Sequence, residues 1–436
     1  MFARYKLNLA SKRYYSTFEV SKTNSLGISP STCQKLKSNF NITHPTLAQQ
    51  KFIPTLVAGQ QDLLLRDRTG TGKTFGTALT LASLIPNQVR QHKSVHSLYI
   101  VPNQELAYQI GSWIQQLSEG NNFKIFANAE VDCDKDIIPH TVVGTPGRIL
   151  DLLLQGKLPM HALERLVLDE ADQALSLPKR YATARQQHKR TTHPKPAERL
   201  LDQLMGQHQT MISSATLNRP LRYFLTNQKG WLKDPLFVDL VHGSQLNDDN
   251  TVKHHCLVIS NDTIRNLTPK HAQEKNEGDD YLTRENKKAE FDDLDDRMME
   301  SLAILQELEP VKNGILFVGP TISVASIKQK LQEQGIVAED IKNYYTNEKK
   351  PDLWVATEFT ARGVDIPGVS HVFILGKPAS VTSYVHMAGR TGRLSPQGFA
   401  SGKVIHLVRE HGWTESKMAN MYELLNIPVE DYEHVE

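Results

Sequence analysis

Cysteine is scarce in this chain. Cys33, Cys133 and Cys256 are the only three in 436 residues, and no two share a C-x-x-C spacing. A disulfide framework or a structural zinc site therefore lacks the residues it needs, and a reducing compartment fits. Long apolar runs are also lacking. The longest are pieces such as Gly314-Ile-Leu-Phe-Val318, far short of the ~18 residues of a membrane span. Nor is there a surplus of charge, since 50 Lys and Arg against 48 Asp and Glu leave a formal net charge of +2. Any nucleic-acid binding must come from local basic residues lining a groove rather than from a globally basic chain.

Hydrophobic content of 39% with 22% charged residues is that of a folded chain, and the length calls for two or three cores. From Ser29 onward, short apolar runs alternate with helix-compatible stretches: Asp62–Leu65, Ser97–Val101, His140–Val143, Leu166–Asp169 and Thr210–Ser213. Strands alternating with helices argue βαβ units and a parallel sheet buried on both faces. A second series follows at His255–Ile259, Ile315–Val318, Leu353–Ala356, His371–Leu375 and Lys403–Leu407. The fold class is α/β, with one domain over 19–243, a polar joint over 244–251 and a second domain over 252–436. Ser176–Arg199 and 261–296 read as surface loops, the latter as a charged insertion.

The first 18 residues contain Arg4, Lys6, Lys12 and Arg13 and no acid, the composition of a cleavable mitochondrial presequence. Localisation in the mitochondrial matrix is expected.

A Gly-rich turn between a strand and a helix aims backbone N–H groups at one point, where phosphate oxygens can sit. Gly70-Thr71-Gly72-Lys73-Thr74, preceded by Leu63 to Leu65, has that setting. Lys73 would reach the β- and γ-phosphates and Thr74 would ligate Mg2+. Asp67 stands where a small residue is usual, and a carboxylate beside phosphates repels them unless Arg66 or Arg68 pairs with it. The second half of a nucleotide-hydrolysing site is an acid at the end of a buried strand. Leu166-Val-Leu-Asp169-Glu170-Ala171-Asp172 supplies it, with Asp169 placed to hold Mg2+ and Glu170 to deprotonate the attacking water. Phosphoryl transfer also needs cations on the developing charge. His386-Met-Ala-Gly-Arg390-Thr-Gly-Arg393 offers two arginines from the second domain.

The ordered set resembles the DEAD-box family of ATP-dependent RNA helicases. It is carried by Gln49 in PTLAQQ, GTGKT at 70–74, Pro102 with Glu105-Leu106-Ala107, TPGR at 145–148, DEAD at 169–172, SAT at 214–216, FVGP at 317–320, ARGVD at 361–365 and HMAGRTGR at 386–393. The resemblance implies two tandem RecA-like domains, each a parallel sheet flanked by helices, closing around ATP and RNA with Mg2+ as cofactor. ATP contacts fall to Gln49, Thr69, Gly70, Thr71, Gly72, Lys73, Thr74 and Asp365. Lys73, Asp169, Glu170, Arg390 and Arg393 become the catalytic set, with Thr74 and Asp169 on the metal. Asp172, Ser214, Thr216 and His386 would couple nucleotide state to closure. Pro102, Thr145, Pro146, Gly147 and Arg148 would line the first RNA track, and Thr360, Arg362 and Gly363 the second.

Several positions depart from the family. Gln104 replaces an Arg in the first RNA track, Met387 replaces an Arg after His386, and no Q-x-x-R element is visible between 345 and 353. The expected activity is ATP-dependent remodelling of mitochondrial RNA, ribosomal RNA during mitoribosome assembly above all, with assembling mitoribosome proteins as further partners. The alternative is an ATP-gated RNA clamp or assembly scaffold with little unwinding.

Overall fold

The structure is a computed structural model, and it describes residues 26–87, 93–129, 137–178, 182–240, 252–268, 296–344, 346–347, 350–361, 364, 366–395, 398–411 and 414–435. The presequence, the joint at 244–251, Cys133, and the site residues Arg362, Gly363 and Asp365 lie outside these ranges.

The first unit is built on seven strands: β1 (Leu63–Arg66), β2 (Ser97–Ile100), β3 (Phe123–Phe126), β4 (Thr141–Gly144), β5 (Arg165–Leu168), β6 (Gln209–Ser214) and β7 (Leu236–Asp239). They run in the order β3-β4-β2-β5-β6-β1-β7, all parallel. Strands such as LLL and SLYI are apolar at successive positions because helices cover both faces. On one face lie α1 (Pro30–Phe40), α2 (Leu47–Ala58), α3 (Lys73–Leu84) and α4 (Gln104–Leu117), sharing a core with Phe52, Leu79, Ile110 and Val167. On the other lie α5 (Pro146–Leu154), α6 (Ala171–Leu175), α7 (Ala184–Thr192), α8 (Pro196–Gln203) and α9 (Arg219–Tyr223), which contribute to or flank a core with Leu98, Ile149, Leu168 and Ile212.

The second unit orders β11-β12-β10-β13-β16-β8-β9, from β8 (Val252–Ile259), β9 (Ile264–Asn266), β10 (Gly314–Val318), β11 (Ala338–Asp340), β12 (Leu353–Thr357), β13 (His371–Leu375) and β16 (Gly402–Arg409). Its helices are α10 (Asp296–Leu308), α11 (Val324–Glu333), α12 (Val381–Ala388) and α13 (Thr414–Leu425). β14 (Leu394–Ser395) and β15 (Gly398–Phe399) form a small antiparallel pair beside it. This sheet is parallel except at one edge, where β9 runs antiparallel to β8.

Two loop expectations are corrected. Residues 264–266, read as the start of a charged insertion, are the edge strand β9, because a short turn lets Ile264 pair with Ile259. Residues 269–295 of that insertion lie outside the described residues. Ser176–Arg199 is not one loop either. Pro196 opens α8, whose Ala197, Leu200 and Leu201 are buried at helical spacing, and α7 precedes it. Within the two main sheets, four strands, β3, β7, β9 and β11, had no counterpart among the sequence-predicted runs. All are edge strands with short, half-exposed patterns. Among the described residues, no helix is long and apolar enough to cross a membrane.

Candidate active site between the two units

The turn after β1 curls tightly enough to need positive φ at Gly70 and Gly72, 79° and 85°, which only glycine adopts cheaply. Gly72 leads directly into α3, so Lys73 and Thr74 begin the helix. Lys73, 8% exposed, turns back and donates to the carbonyls of Asp67 (2.9 Å) and Arg68. Its burial lowers its pKa, against the opposing pull of Asp67, Asp169, Glu170 and Asp172. Gln49 closes the loop from the other side. Its Nε2 donates to the Gly72 carbonyl (3.0 Å) while its Oε1 accepts from Thr46 N (3.0 Å), completing the capping box of α2.

Asp67 does not pair as expected. Its Oδ1 accepts from Arg68 N at 2.7 Å, and Arg66 instead reaches Asp239 at 3.4 Å. The reason is the parallel register of β1 with β7, which sets Arg66 beside Asp239. Asp67 is buried, with the Lys73 ammonium as its compensating charge.

Asp169 is the hub of the first unit. Its Oδ2 accepts from Thr74 Oγ1 (2.6 Å) and from Tyr99 OH (3.1 Å), and its Oδ1 accepts from Ser213 Oγ (2.6 Å) and Glu170 N (2.9 Å). A hydroxyl and a carboxylate brought together are hard oxygen donors, and such a pair fits Mg2+ completed by phosphate oxygens and waters. Among the described residues, no group of three or more His, Cys, Asp or Glu could hold a metal by itself. Glu170 adopts φ 47° and ψ 50°, a left-handed conformation uncommon outside glycine. Burial raises its pKa, and the neighbouring Asp169 and Asp172 carboxylates add to this while His386 and Arg390 oppose it.

The second unit meets this surface directly. His386 on α12 lies 3.8 Å from Asp172 and 3.9 Å from Glu358. Burial disfavours its charged form, but Glu358, Asp172 and Glu170 outweigh that and raise its pKa. Asp172 accepts from Thr216 Oγ1, which in turn accepts from Thr382 Oγ1 on α12 at 3.5 Å. Gly389 and Gly70 mark close backbone approaches. A Cβ on Gly389 would stand 1.6 Å from Thr69 Oγ1, and one on Gly70 would stand 3.3 Å from Arg393 Cγ. Arg390 donates to the Val364 carbonyl (3.0 Å) and Arg393 to that of Gly389 (3.2 Å).

This geometry has counterparts. The family model described as "DEAD/DEAH box helicase" matches residues 46–224, and "Helicase conserved C-terminal domain" matches 280–395. The chain belongs to the DEAD-box family. It is 28% identical over 394 residues to the DEAD-box ATP-dependent RNA helicase CshA of Bacillus cereus, covering 86% of this chain and 64% of that protein. It is 27% identical over 425 residues to RhpA of Helicobacter pylori, covering 93% and 74%. The chain thus spans under two thirds of the CshA length. Its structure resembles S. cerevisiae Dbp5 bound to RNA and ADP BeF3, with TM-score 0.66, 19% identity and 93% of each chain covered. Mss116p bound to ssRNA and AMP-PNP gives 0.64, 20% identity, and 93% and 77% coverage. Both likenesses establish the fold, two tandem RecA-like units.

The described residues among those expected to line the RNA track sit at strand ends and helix starts. Thr145 starts α5, with Pro146 in the first turn, and its hydroxyl donates to the Ala127 carbonyl (3.1 Å). Gly147 faces open space, and Arg148 follows it on the same turn. Pro102 precedes Asn103, whose side chain caps α4 (2.9 Å to Leu106 N). Gln104 is exposed at the first position of α4. Thr360 closes a hydroxyl-bonded turn on Thr357 at the end of β12. Met387 is buried in the second core.

Sequence reasoning missed four contributors: Tyr99, Ser213, Glu358 and Thr382. For Ser214, to which a coupling role was given, Oγ accepts from Thr216 N (3.0 Å), and its neighbour Ser213 reaches Asp169. Both lie on β6, where alternate residues face opposite ways. Aligning Leu166 with Thr210 in the β5–β6 pair would have pointed to Ser213; no comparable signal exists for Thr382.

Proposed function

We propose that this protein is an ATP hydrolase that couples closure of its two units to the remodelling of RNA. The observation that carries the reading is the convergence on Glu170 of a phosphate loop and an arginine-bearing turn from separate units. Lys73 exchanges its loop carbonyls for phosphate oxygens, and Gln49 senses both the loop and the adenine edge. Thr74 and Asp169 would hold Mg2+, which supplies charge neutralisation on the phosphates. Glu170, with its raised pKa, accepts the proton of the attacking water. Arg390 and Arg393 place positive charge against the transferring phosphoryl group. Thr216, Asp172 and His386 transmit the state of the nucleotide to α12. RNA lies along Pro102, Thr145 to Arg148, and Thr360, Arg362 and Gly363, with Asp365 beside the ribose. Closure then strains one strand, and loss of phosphate releases it.

ATP turnover with and without single-stranded RNA tests this reading. The expected result is strong stimulation by RNA over a DNA control, abolished by Lys73→Ala and Glu170→Gln. Turnover that stays flat with RNA while RNA is retained in an ATP-dependent way would move the reading to the clamp. The neutral, exposed Gln104 favours that second reading to this extent: it removes a phosphate contact that would help grip a strand under strain.

The acid-free first 18 residues support import into the mitochondrial matrix, and mitochondrial ribosomal RNA with assembling mitoribosome proteins as the target class. A reporter fused to those residues should enter mitochondria, and crosslinking should recover ribosomal RNA. A cytosolic reporter would overturn the localisation without touching the chemistry.

A further inference from the structure

Between Asp172 and Glu198 the chain has no Asp or Glu, while Lys179, Arg180, Arg185, Lys189, Arg190 and Lys195 are all basic. The described part of this stretch contains α7, with sequence ARQQHKRTT. We infer that the outer face of α7 is an auxiliary RNA-backbone site, gripping phosphates of RNA that extends beyond the interdomain cleft. The inference rests on the RNA reading above and deepens it.

Helical geometry sorts the side chains of α7 into two roles. Arg190 turns toward the protein. It donates to the Leu175 carbonyl at the end of α6 (3.2 Å) and pairs with the buried Glu198 of α8. Arg185, His188 and Lys189 sit at i, i+3 and i+4, so they share a face, and all three are exposed. At 100° per residue that face points roughly 140° away from Arg190, outward from the body.

The described carboxylates beneath α7 are engaged elsewhere. Glu198 is taken by Arg190 and by Lys229 (2.9 Å), and Lys229 also holds Asp202 (2.8 Å). Among the described residues, no carboxylate forms an ion pair with Arg185 or Lys189. A solvated helix ordinarily mixes both signs of charge. This one buries no apolar side chain and is nine residues long, below the ~12–15 at which isolated helices become stable. A polyanion on its outer face would offset the repulsion and fix the helix.

Its position fits RNA rather than a diffuse anion. The Arg190 anchor ties α7 to α6, which carries Asp172, and to α8, which packs on α5. The first turn of α5 is the Thr145–Arg148 segment assigned to the RNA track. A helix of this length spans about 14 Å, enough to meet two or three successive phosphates of a strand passing α5.

The test uses the full chain and the variant Arg185→Gln/Lys189→Gln. Glutamine keeps helix propensity, and Arg190 is left in place. Binding of labelled RNA is measured with a non-hydrolysable ATP analogue across 50–200 mM salt, using short single strands that fill only the cleft and longer strands that extend past it. For the long RNA, the variant should bind severalfold more weakly, with a salt slope lower by roughly 1.4, near 0.7 per lost phosphate contact. Binding of the short RNA and turnover at saturating RNA should be unchanged. Equal long-RNA affinity and equal slope in wild type and variant overturn the inference. Equal losses on short and long RNA overturn it as well, by placing the effect in the cleft. If wild-type turnover ignores RNA while long-RNA binding still depends on α7, the remodelling reading fails and this one stands; if the wild type binds no RNA, both fail.

Discussion

Thr74 Oγ1 donates to Asp169 Oδ2 at 2.6 Å, joining the first turn of α3 to the end of β5 across the sheet. The residues on either side are far apart in sequence, and the contact exists because β1 and β5 flank β6 in the parallel sheet. Tyr99 OH braces both partners, donating to Asp169 Oδ2 (3.1 Å) and to the Thr74 carbonyl (3.3 Å). The three groups form the seat offered to the metal and the phosphates.

Tyr99→Phe should therefore leave the fold intact and loosen Asp169. A hydrogen bond to a charged group contributes about 1.5–3 kcal/mol, so the Mg2+ concentration for half-maximal turnover should rise about tenfold or more. Titrating Mg2+ at saturating ATP and RNA checks this. An unchanged midpoint would remove Tyr99 from the seat.

Glu170→Gln should cut turnover by on the order of 10² to 10⁴ while ATP still binds. In the wild type, burial holds the Glu170 carboxyl above its ordinary 4.5. The acid limb of kcat/KM should lie above that value, turnover falling as pH drops and Glu170 takes its proton. Because the raised pKa reflects a carboxylate made costly by burial, the glutamine variant should also melt at a higher temperature than wild type at neutral pH. A Tm lowered by several degrees would contradict that origin.

His386 titrates in the opposite sense. Its pKa is raised from 6.5, so the protonated imidazole favours contact with Asp172 and Glu358. The stabilisation is fully present below 6.5 and is lost as pH rises through the raised value. Closure in the presence of RNA and an ATP analogue, followed by energy transfer between dyes on the two units, should weaken along that limb. His386→Gln should close less well and lose the pH dependence.

Gly389→Ala places a methyl 1.6 Å from Thr69 Oγ1. Each unit keeps its own core, so the variant should fold and bind ATP through the phosphate loop. Closure should fail, and a displacement of about 1 Å at a reacting centre can cost on the order of 10²-fold. RNA-stimulated turnover should drop by that order, with an expanded scattering radius under conditions that close the wild type.

The strands that form the centre of each sheet were legible because burial on both faces makes them continuous apolar runs, as at Leu63–Leu65 and Ile315–Val318. The edge strands β3 and β11 were not, since half-exposed residues carry no such signal. Ser176–Arg199 reads as a loop because it is basic and ends inside α8, holding only Ala197 of that helix's buried apolar positions; the packing of α8 on α5 and α6 shows the helix. Likewise nothing in the order of residues opposes Arg66 to Asp239 instead of Asp67; the β1–β7 register does that.

The sequence by itself determined which chemistries the chain could hold. Gly70 and Gly72 permit the turn before Lys73, and Asp169 and Glu170 follow a buried strand, because these are local demands of backbone conformation and burial. The tertiary structure alone decided which of these groups meet. Tyr99 and Ser213 reach Asp169 through neighbouring strands of one sheet. Thr382, His386 and Gly389 reach Thr216, Asp172 and Thr69 from another unit, since such contacts depend on how two independently folded surfaces pack rather than on any spacing along the chain.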